Sequence, residues 1–60
     1  MYKVTAFHRF SNDLFIETFD NYSLAKEYFE DIADDIEYEG SYIRHVVLYC
    51  GHIKLIEFRA

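Results

Sequence analysis

Residues 23–40 read SLAKEYFEDIADDIEYEG, and this stretch decides the fold. Before it, apolar side chains recur at about every second residue, whereas within it they recur with a period near 3.6, which is typical of a helix. Seven apolar side chains would share one half of that helix: Leu24, Ala25, Tyr28, Phe29, Ile32, Ala33 and Ile36. The pattern predicts a helix from Leu24 to about Tyr38, with Ser23 as its N-cap and Gly40 as the residue that ends it.

The segments on both sides of this helix predict strands, because their apolar side chains alternate with polar ones. Short polar residues at 11–13 separate the first two strands, and a glycine-containing turn at 50–52 separates the last two, so each pair forms a hairpin. The predicted strands are residues 2–10, 14–19, 42–49 and 53–58. We therefore expect a single domain over residues 1–60, of class α+β and order ββαββ, with one helix packed on one face of a four-stranded, mainly antiparallel sheet.

The length and composition limit what such a domain can do. A chain of 60 residues has room for one thin core, and its expected free energy of unfolding is roughly 3–9 kcal/mol. Cys50 is the only cysteine, which excludes an intrachain disulfide. No run of apolar residues is long enough for a membrane span, and the first ten residues do not resemble a signal peptide, so we expect a cytoplasmic protein.

Apolar residues occupy both faces of the predicted strands. One helix covers one face of a sheet, and a contiguous apolar patch on the other face usually marks association. We predict a homodimer formed through this outer face or through an edge strand; the alternative is a barrel-like curl with some tolerated surface aromatics. The side chains assigned to the interface are Phe7, Phe15, Phe19, Val47, Tyr49, Ile56 and Phe58.

The excess negative charge is concentrated in the helix. The net charge is −5, and seven of the 11 acidic residues but one of the six basic residues lie between Ser23 and Glu39. On a helical wheel, five carboxylates fall within about a third of the circumference, opposite the apolar half. We call these residues the acidic stripe: Glu27, Glu30, Asp31, Asp34 and Glu37. Asp35 borders the stripe and Tyr38 lies within it, and we predict that all seven residues bind a protein.

The acidic stripe is unfavourable for the helix that carries it. Each pair of like charges three or four residues apart costs about 0.2–0.5 kcal/mol, and carboxylates in the last turn oppose the helix dipole. The spacing suggests a reason for this cost. The stripe extends over about 15 Å and presents roughly one negative charge per 3–4 Å, whereas one strand of duplex DNA presents one per 3.4 Å.

This distribution of charge resembles that of small acidic DNA-mimic inhibitors, many of which are encoded by phages and mobile elements. The resemblance lies in size and charge placement, with no shared motif, so it assigns no functional residue. It implies a non-enzymatic inhibitor or modulator that presents an acidic helix face to a basic groove of a nucleic-acid-handling protein. The expected partner is a protein with a basic surface, with no direct binding of nucleic acid, no membrane and no cofactor. The alternative is that the stripe is a solvated face that keeps the domain soluble.

Two other functions remain open from the sequence. One is an oligomeric module that sequesters a small ligand or nucleotide at a subunit boundary, and the other is a structural assembly subunit that uses the aromatic outer sheet face. A surface for nucleic acid can also be drawn from a few basic and aromatic residues, but the net charge of −5 opposes phosphate. Those residues are Lys3, Phe7, Arg9, Arg44 and Lys54.

Metal binding and catalysis have weak support in the sequence. Cys50 and His52 could supply two zinc ligands or a nucleophile and its base, but no paired motif supplies the remaining groups. Asp31, Asp34 and Asp35 could offer oxygen ligands to calcium, but they lack the glycine-containing loop of an EF-hand. We therefore predict no enzyme activity, no catalytic residue and no metal site.

Overall fold

A computed structural model describes residues 1–37 and 42–59 of the chain. The elements follow the order strand, strand, helix, strand, strand: β1 (Tyr2–His8), β2 (Leu14–Phe19), α1 (Tyr22–Ile36), β3 (Ile43–Cys50) and β4 (Ile53–Arg59). All neighbouring strands are antiparallel, and the order across the sheet is β2-β1-β3-β4. The predicted ββαββ arrangement of class α+β is confirmed.

The core lies between α1 and the two central strands, because α1 packs mainly against β3 and β1. The strands contribute aliphatic side chains to it, and the helix contributes one face. The buried core residues are Val4, Ala6, Ala25, Phe29, Ile36, Val46 and Leu48. Phe29 is the only aromatic ring among these buried residues, so the core is thin, as expected for a chain of this length.

The helix begins two residues earlier than the sequence predicts. Asn21, and not Ser23, is the N-cap, because its side-chain Oδ1 accepts hydrogen bonds from the backbone N–H groups of Ser23 (2.7 Å) and Leu24 (3.3 Å). The ring of Tyr22, the first helical residue, packs against the ring of Tyr2 at 5.5 Å. The predicted helix terminus at Tyr38 and Gly40 lies outside the described residues.

The second hairpin turns tightly at Gly51. This glycine has φ of +61°, and its N–H donates a hydrogen bond to the carbonyl oxygen of Met1 (3.2 Å). A positive φ at the first central residue of a two-residue hairpin loop is the type II′ pattern, which favours glycine. Over the part of the chain that the structure describes, no helix is long and apolar enough to cross a membrane.

Candidate functional site

The acidic stripe lies on the side of α1 that faces away from the sheet. The helix is fixed against the sheet by Ala25, Phe29 and Ile36, which are buried in the core. All five stripe carboxylates and the neighbouring Asp35 are exposed. The structure therefore places six of the seven predicted protein-binding residues on one accessible surface, and the seventh, Tyr38, lies outside the described residues.

In the part of the chain that the structure describes, these carboxylates form no ion pair, although Lys26 lies beside four of them. Within residues 1–37 and 42–59, every ion pair involves Glu57 on β4, and none involves a carboxylate of α1. The helix also has no acidic residue in its first turn and no basic residue in its last turn, so its charges oppose the helix dipole. The negative field of the stripe is therefore directed into solvent.

Two apolar side chains next to the stripe are more exposed than the sequence predicts. Leu24 and Tyr28 were expected in the buried half of the helix, but Leu24 is 56% exposed and Tyr28 is also exposed. The ring of Tyr28 packs against Phe19 of β2, with ring centroids 5.3 Å apart. The apolar residues form a shallow slot with Glu27 and Asp31 of the stripe at its rim. The prediction for Leu24 and Tyr28 was wrong because α1 lies over β1 and β3 and leaves its β2 side open.

We call this slot the apolar border of the acidic stripe; it consists of Phe19, Leu24 and Tyr28. The sequence did not predict that the apolar border belongs to the candidate site. One signal was available, because Leu24 falls between Asp31 and Asp35 on the helical wheel. An apolar residue with acidic neighbours on both sides is a poor candidate for the core.

The structure corrects the assignment of the outer sheet face. Phe19, Ile56 and Phe58 were assigned to it, but all three pack against the core on the helix side. Phe15 pairs with the core residue Ala6, which places it on the helix side as well, although it is exposed. Both faces of these strands are apolar, so alternation alone does not show which face meets the helix, and pairing with β1 and β3 decides it.

Phe7, Val47 and Tyr49 do lie on the outer face, which is partly covered by its own side chains. Val47 is 2% exposed and Thr5 is also buried, although none of the described helices and strands packs over them. The ring of Phe7 stacks on His45 at 5.0 Å, and the Lys3 ammonium lies 5.1 Å from the centre of the Tyr49 ring. Long side chains therefore shield the middle of this face.

A polar network crosses the outer side of β3 and β4. Its centre is Glu57, whose carboxylate accepts hydrogen bonds from Lys54 (3.2 Å) and Arg59 (3.1 Å) and lies 2.7 Å from Nε2 of His45. These hydrogen bonds, from Lys54 first and then Arg59 and His45, lower the pKa of Glu57 from 4.5 to about 2. The network supplies charge to the β4 edge of the sheet.

The β2 edge carries less charge than the β4 edge, although β4 also exposes two apolar side chains, Ile53 (67%) and Leu55 (44%). Leu14, Phe15 and Ile16 are each about half exposed, and Glu17 is the only charged residue in the strand. The pairing of β1 with β2 is regular, whereas that of β3 with β4 shifts register between Leu48 and Tyr49. Lysines, other charges and bulges are the usual means of blocking an edge strand, and β2 has few of them.

The structure gives little support to the other residues considered from the sequence. Cys50 ends β3 and His52 lies in the following turn. Among residues 1–37 and 42–59, no three His, Cys, Asp or Glu side chains are grouped so that they could hold a metal ion, and this includes the three aspartates of α1. Comparisons with protein-family models, curated proteins and solved structures gave no match.

Proposed function

We propose that this chain is a non-enzymatic inhibitor or modulator that docks the acidic stripe of α1 into a basic groove of a nucleic-acid-handling protein. The observation that carries the proposal is that six exposed carboxylates share one side of a short helix and none forms an ion pair within the described residues. A phage or mobile genetic element is the kind of source in which such DNA-mimic inhibitors occur, and the cytoplasm is where their targets act.

The geometry of the helix supports a groove as the partner surface. From Glu27 to Glu37 the helix rises about 15 Å, so its charge density is close to that of one DNA strand, which carries one charge per 3.4 Å. A helix with its side chains is about 10–12 Å in diameter, so the stripe is a narrow ridge. A groove lined with Lys and Arg would attract such a ridge over long range and bind it rapidly.

The apolar border supports a protein partner in preference to a merely solubilising role. A face that serves only solubility has no use for an exposed Leu24 and Tyr28 beside its charges. In protein interfaces, a small apolar or aromatic anchor surrounded by charged residues is the usual source of affinity. We expect the partner to insert an apolar side chain into the slot that these residues form with Phe19.

We also propose that the chain forms a homodimer through β2. Two copies of this edge strand, related by a twofold axis, would pair antiparallel and join the sheets of the two copies into one of eight strands. Pairing would cover Leu14, Phe15 and Ile16, which are about half exposed. The β4 edge, with its charged network and register shift, would remain free, and α1 of each copy would stay accessible to a partner.

Affinity capture tests the proposed function. The chain is immobilised and exposed to a lysate of the source cells at low and at high salt. We expect capture at low salt, and its loss with the charge-reversed variant Glu30→Lys/Asp34→Lys. The matched control, Asp13→Lys/Asp20→Lys, changes the net charge equally but leaves the helix face intact, so it should retain the partner. Equal capture by all three proteins, or no capture by the natural chain, would contradict the proposal.

The dimer is tested separately by sedimentation equilibrium. Ile16→Lys places a charge on the β2 edge and should give a monomer, whereas Ile53→Lys at the opposite edge should not. A monomeric natural chain, or a dimer that tolerates Ile16→Lys, would show that β2 is not the interface.

A further inference from the structure

A second exposed cluster lies at one end of the sheet, where β1 ends and β3 begins. His8 is the last residue of β1, Tyr42 directly precedes β3, and Phe10 is in the loop after β1. The ring of His8 stacks on Tyr42 (5.9 Å, 23° between planes), and Phe10 meets both rings edge-on at 6.1 and 6.2 Å. We call these three rings the aromatic platform.

The backbone holds the aromatic platform in place. The N–H of Phe10 donates to Nδ1 of His8 (3.1 Å), and the N–H of Arg9 donates to the carbonyl oxygen of Tyr42. The N–H of His8 donates to the carbonyl oxygen of Asp13 (3.0 Å), which closes the loop. The platform is therefore organised before any ligand binds, which lowers the entropy cost of binding.

The aromatic platform is too exposed to serve as a core for its loop. Phe10 is 71% exposed and Tyr42 is 66% exposed. Rings that serve only to pack a loop would bury most of their surface, because burial is what stabilises them. These two residues instead remain mostly exposed to solvent while their backbones are hydrogen-bonded.

Two arginines adjoin the aromatic platform, Arg44 through a hydrogen bond and Arg9 through its place in the chain. Arg44, the second residue of β3, donates from Nε to the carbonyl oxygen of His8 (3.1 Å), which ties its side chain to the platform. Arg9 lies between two platform residues in the sequence and is exposed. Neither guanidinium forms an ion pair with a carboxylate in the described ranges, in contrast to Arg59, which binds Glu57. Guanidinium groups in this state are well suited to phosphate.

We infer that the aromatic platform and its two arginines bind a nucleotide. The base would stack on the Tyr42 ring with its edge against Phe10, because the Phe10 ring is inclined by 77° to Tyr42. The phosphate would accept hydrogen bonds from Arg9 and Arg44. Stacking on aromatic side chains combined with arginine contacts to phosphate is how proteins hold single nucleotides of a flexible strand. The ligand is a free mononucleotide or one nucleotide of a single strand, and both share this chemistry.

This inference departs from the expectation that the chain does not bind nucleic acid directly. That expectation used the net charge of −5, but five of the 11 acidic residues lie on α1 and a sixth, Glu37, is its C-cap, whereas all three arginines lie at this end of the sheet. Arg9 follows β1, Arg44 is in β3, and Arg59 ends β4 at a position paired with His45. Screening over about 8 Å at physiological salt would limit the effect of distant carboxylates on a nucleotide here.

The site is independent of the proposed function, and one titration tests it. Adenosine 5′-monophosphate, adenosine, inorganic phosphate and a short single-stranded oligo-dA are each added to the ¹⁵N-labelled chain, and amide chemical shifts are followed by NMR. We expect shifts centred on residues 8–10 and 42–45 with the monophosphate. Adenosine alone should bind about tenfold or more weakly, because hydrogen bonds to charged groups contribute about 1.5–3 kcal/mol.

Variants separate stacking from simple charge attraction. Tyr42→Ala should weaken binding of the monophosphate about 5- to 150-fold, from a stacking contribution of about 1–3 kcal/mol, and Tyr42→Phe should restore it. Arg9→Gln/Arg44→Gln should remove the phosphate effect, whereas Arg59→Gln is the matched control and should bind normally. Because Tyr42, Arg9 and Arg44 are exposed, these changes leave the core intact, and dispersed amide spectra will verify this.

The outcomes are distinct. Tighter binding of the oligonucleotide than of the monophosphate identifies a single strand as the ligand, and equal binding identifies a mononucleotide; either result supports the site. The inference is overturned if no ligand shifts these amides, or if phosphate alone binds as well as the monophosphate and Tyr42→Ala has no effect. Normal binding by Glu30→Lys/Asp34→Lys would show that the platform works without the acidic stripe.

Discussion

Asp34→Asn is the substitution that best measures what the acidic stripe costs the fold. Asp34 is exposed and lies in the last turn of α1, which ends at Ile36 with Glu37 as its C-cap. Its helix-surface neighbours three or four residues away include Glu30, Asp31 and Glu37. Asparagine has nearly the same shape and helix propensity as aspartate, so the substitution removes one charge and little else.

The expected gain follows from these contacts. Removing three like-charge pairs at about 0.2–0.5 kcal/mol each gives about 0.6–1.5 kcal/mol. Removing a carboxylate from the negative end of the helix dipole adds about 0.3–1 kcal/mol. We therefore expect Asp34→Asn to raise the free energy of unfolding by about 1–2.5 kcal/mol at low salt. In a domain of this size, each kcal/mol raises the Tm by about 4–8 °C.

Urea unfolding followed by circular dichroism would measure this gain at about 0.02 M and about 1 M NaCl. At the higher concentration the screening length is about 3 Å, so the advantage of Asp34→Asn should fall below about 0.5 kcal/mol. Asp13→Asn removes one charge from an exposed turn and should change stability by less than about 0.5 kcal/mol. If Asp34→Asn gained no more than Asp13→Asn, or if its gain persisted at high salt, the stripe would not be under electrostatic strain.

Three further perturbations test the fold and the polar network. Because hydrogen bonds lower the pKa of Glu57 from 4.5 to about 2, its contribution to folding stability is complete above pH 4.5 and is lost as the pH falls toward 2. The difference in urea midpoint between the natural chain and Glu57→Gln should therefore shrink over that pH range. A constant difference would contradict the network. Leu48→Ala, in the core, should lower the free energy of unfolding by about 2–5 kcal/mol, whereas Leu24→Ala, on the exposed apolar border, should lower it much less. Similar losses for the two variants would contradict the observed burial. Asn21→Ala should cost about 0.5–2 kcal/mol through loss of the N-cap, and a Ser23→Ala variant that cost more would favour Ser23 as the cap.

The sequence predicted the architecture because two independent signals agreed. The change of period at residue 23 separated strands from helix, and the turn residues at 11–13 and 50–52 marked both hairpins. The order β2-β1-β3-β4 was beyond this reasoning, because alternation within a strand does not show which strands become neighbours. The acidic stripe was also predictable, since it depends only on helical geometry.

Errors arose where a strand or helix face depends on its neighbours. Phe19 and Phe58 were placed on the wrong side of the sheet because both faces of their strands are apolar and only pairing identifies the inner one. Leu24 was expected to be buried because periodicity does not show how far one helix extends over a sheet. The aromatic platform brings together residues from two separate parts of the chain, so no local pattern could show it.

In the proposed function, the acidic stripe occupies a site on its partner that otherwise holds nucleic acid. The most direct measurement is a competition in which the captured partner is bound to the immobilised chain and duplex DNA is then added at constant salt. We predict that the DNA displaces the partner, and that Glu30→Lys/Asp34→Lys fails to bind the DNA-free partner at all. A stable complex containing the chain, the partner and DNA together would contradict the claim.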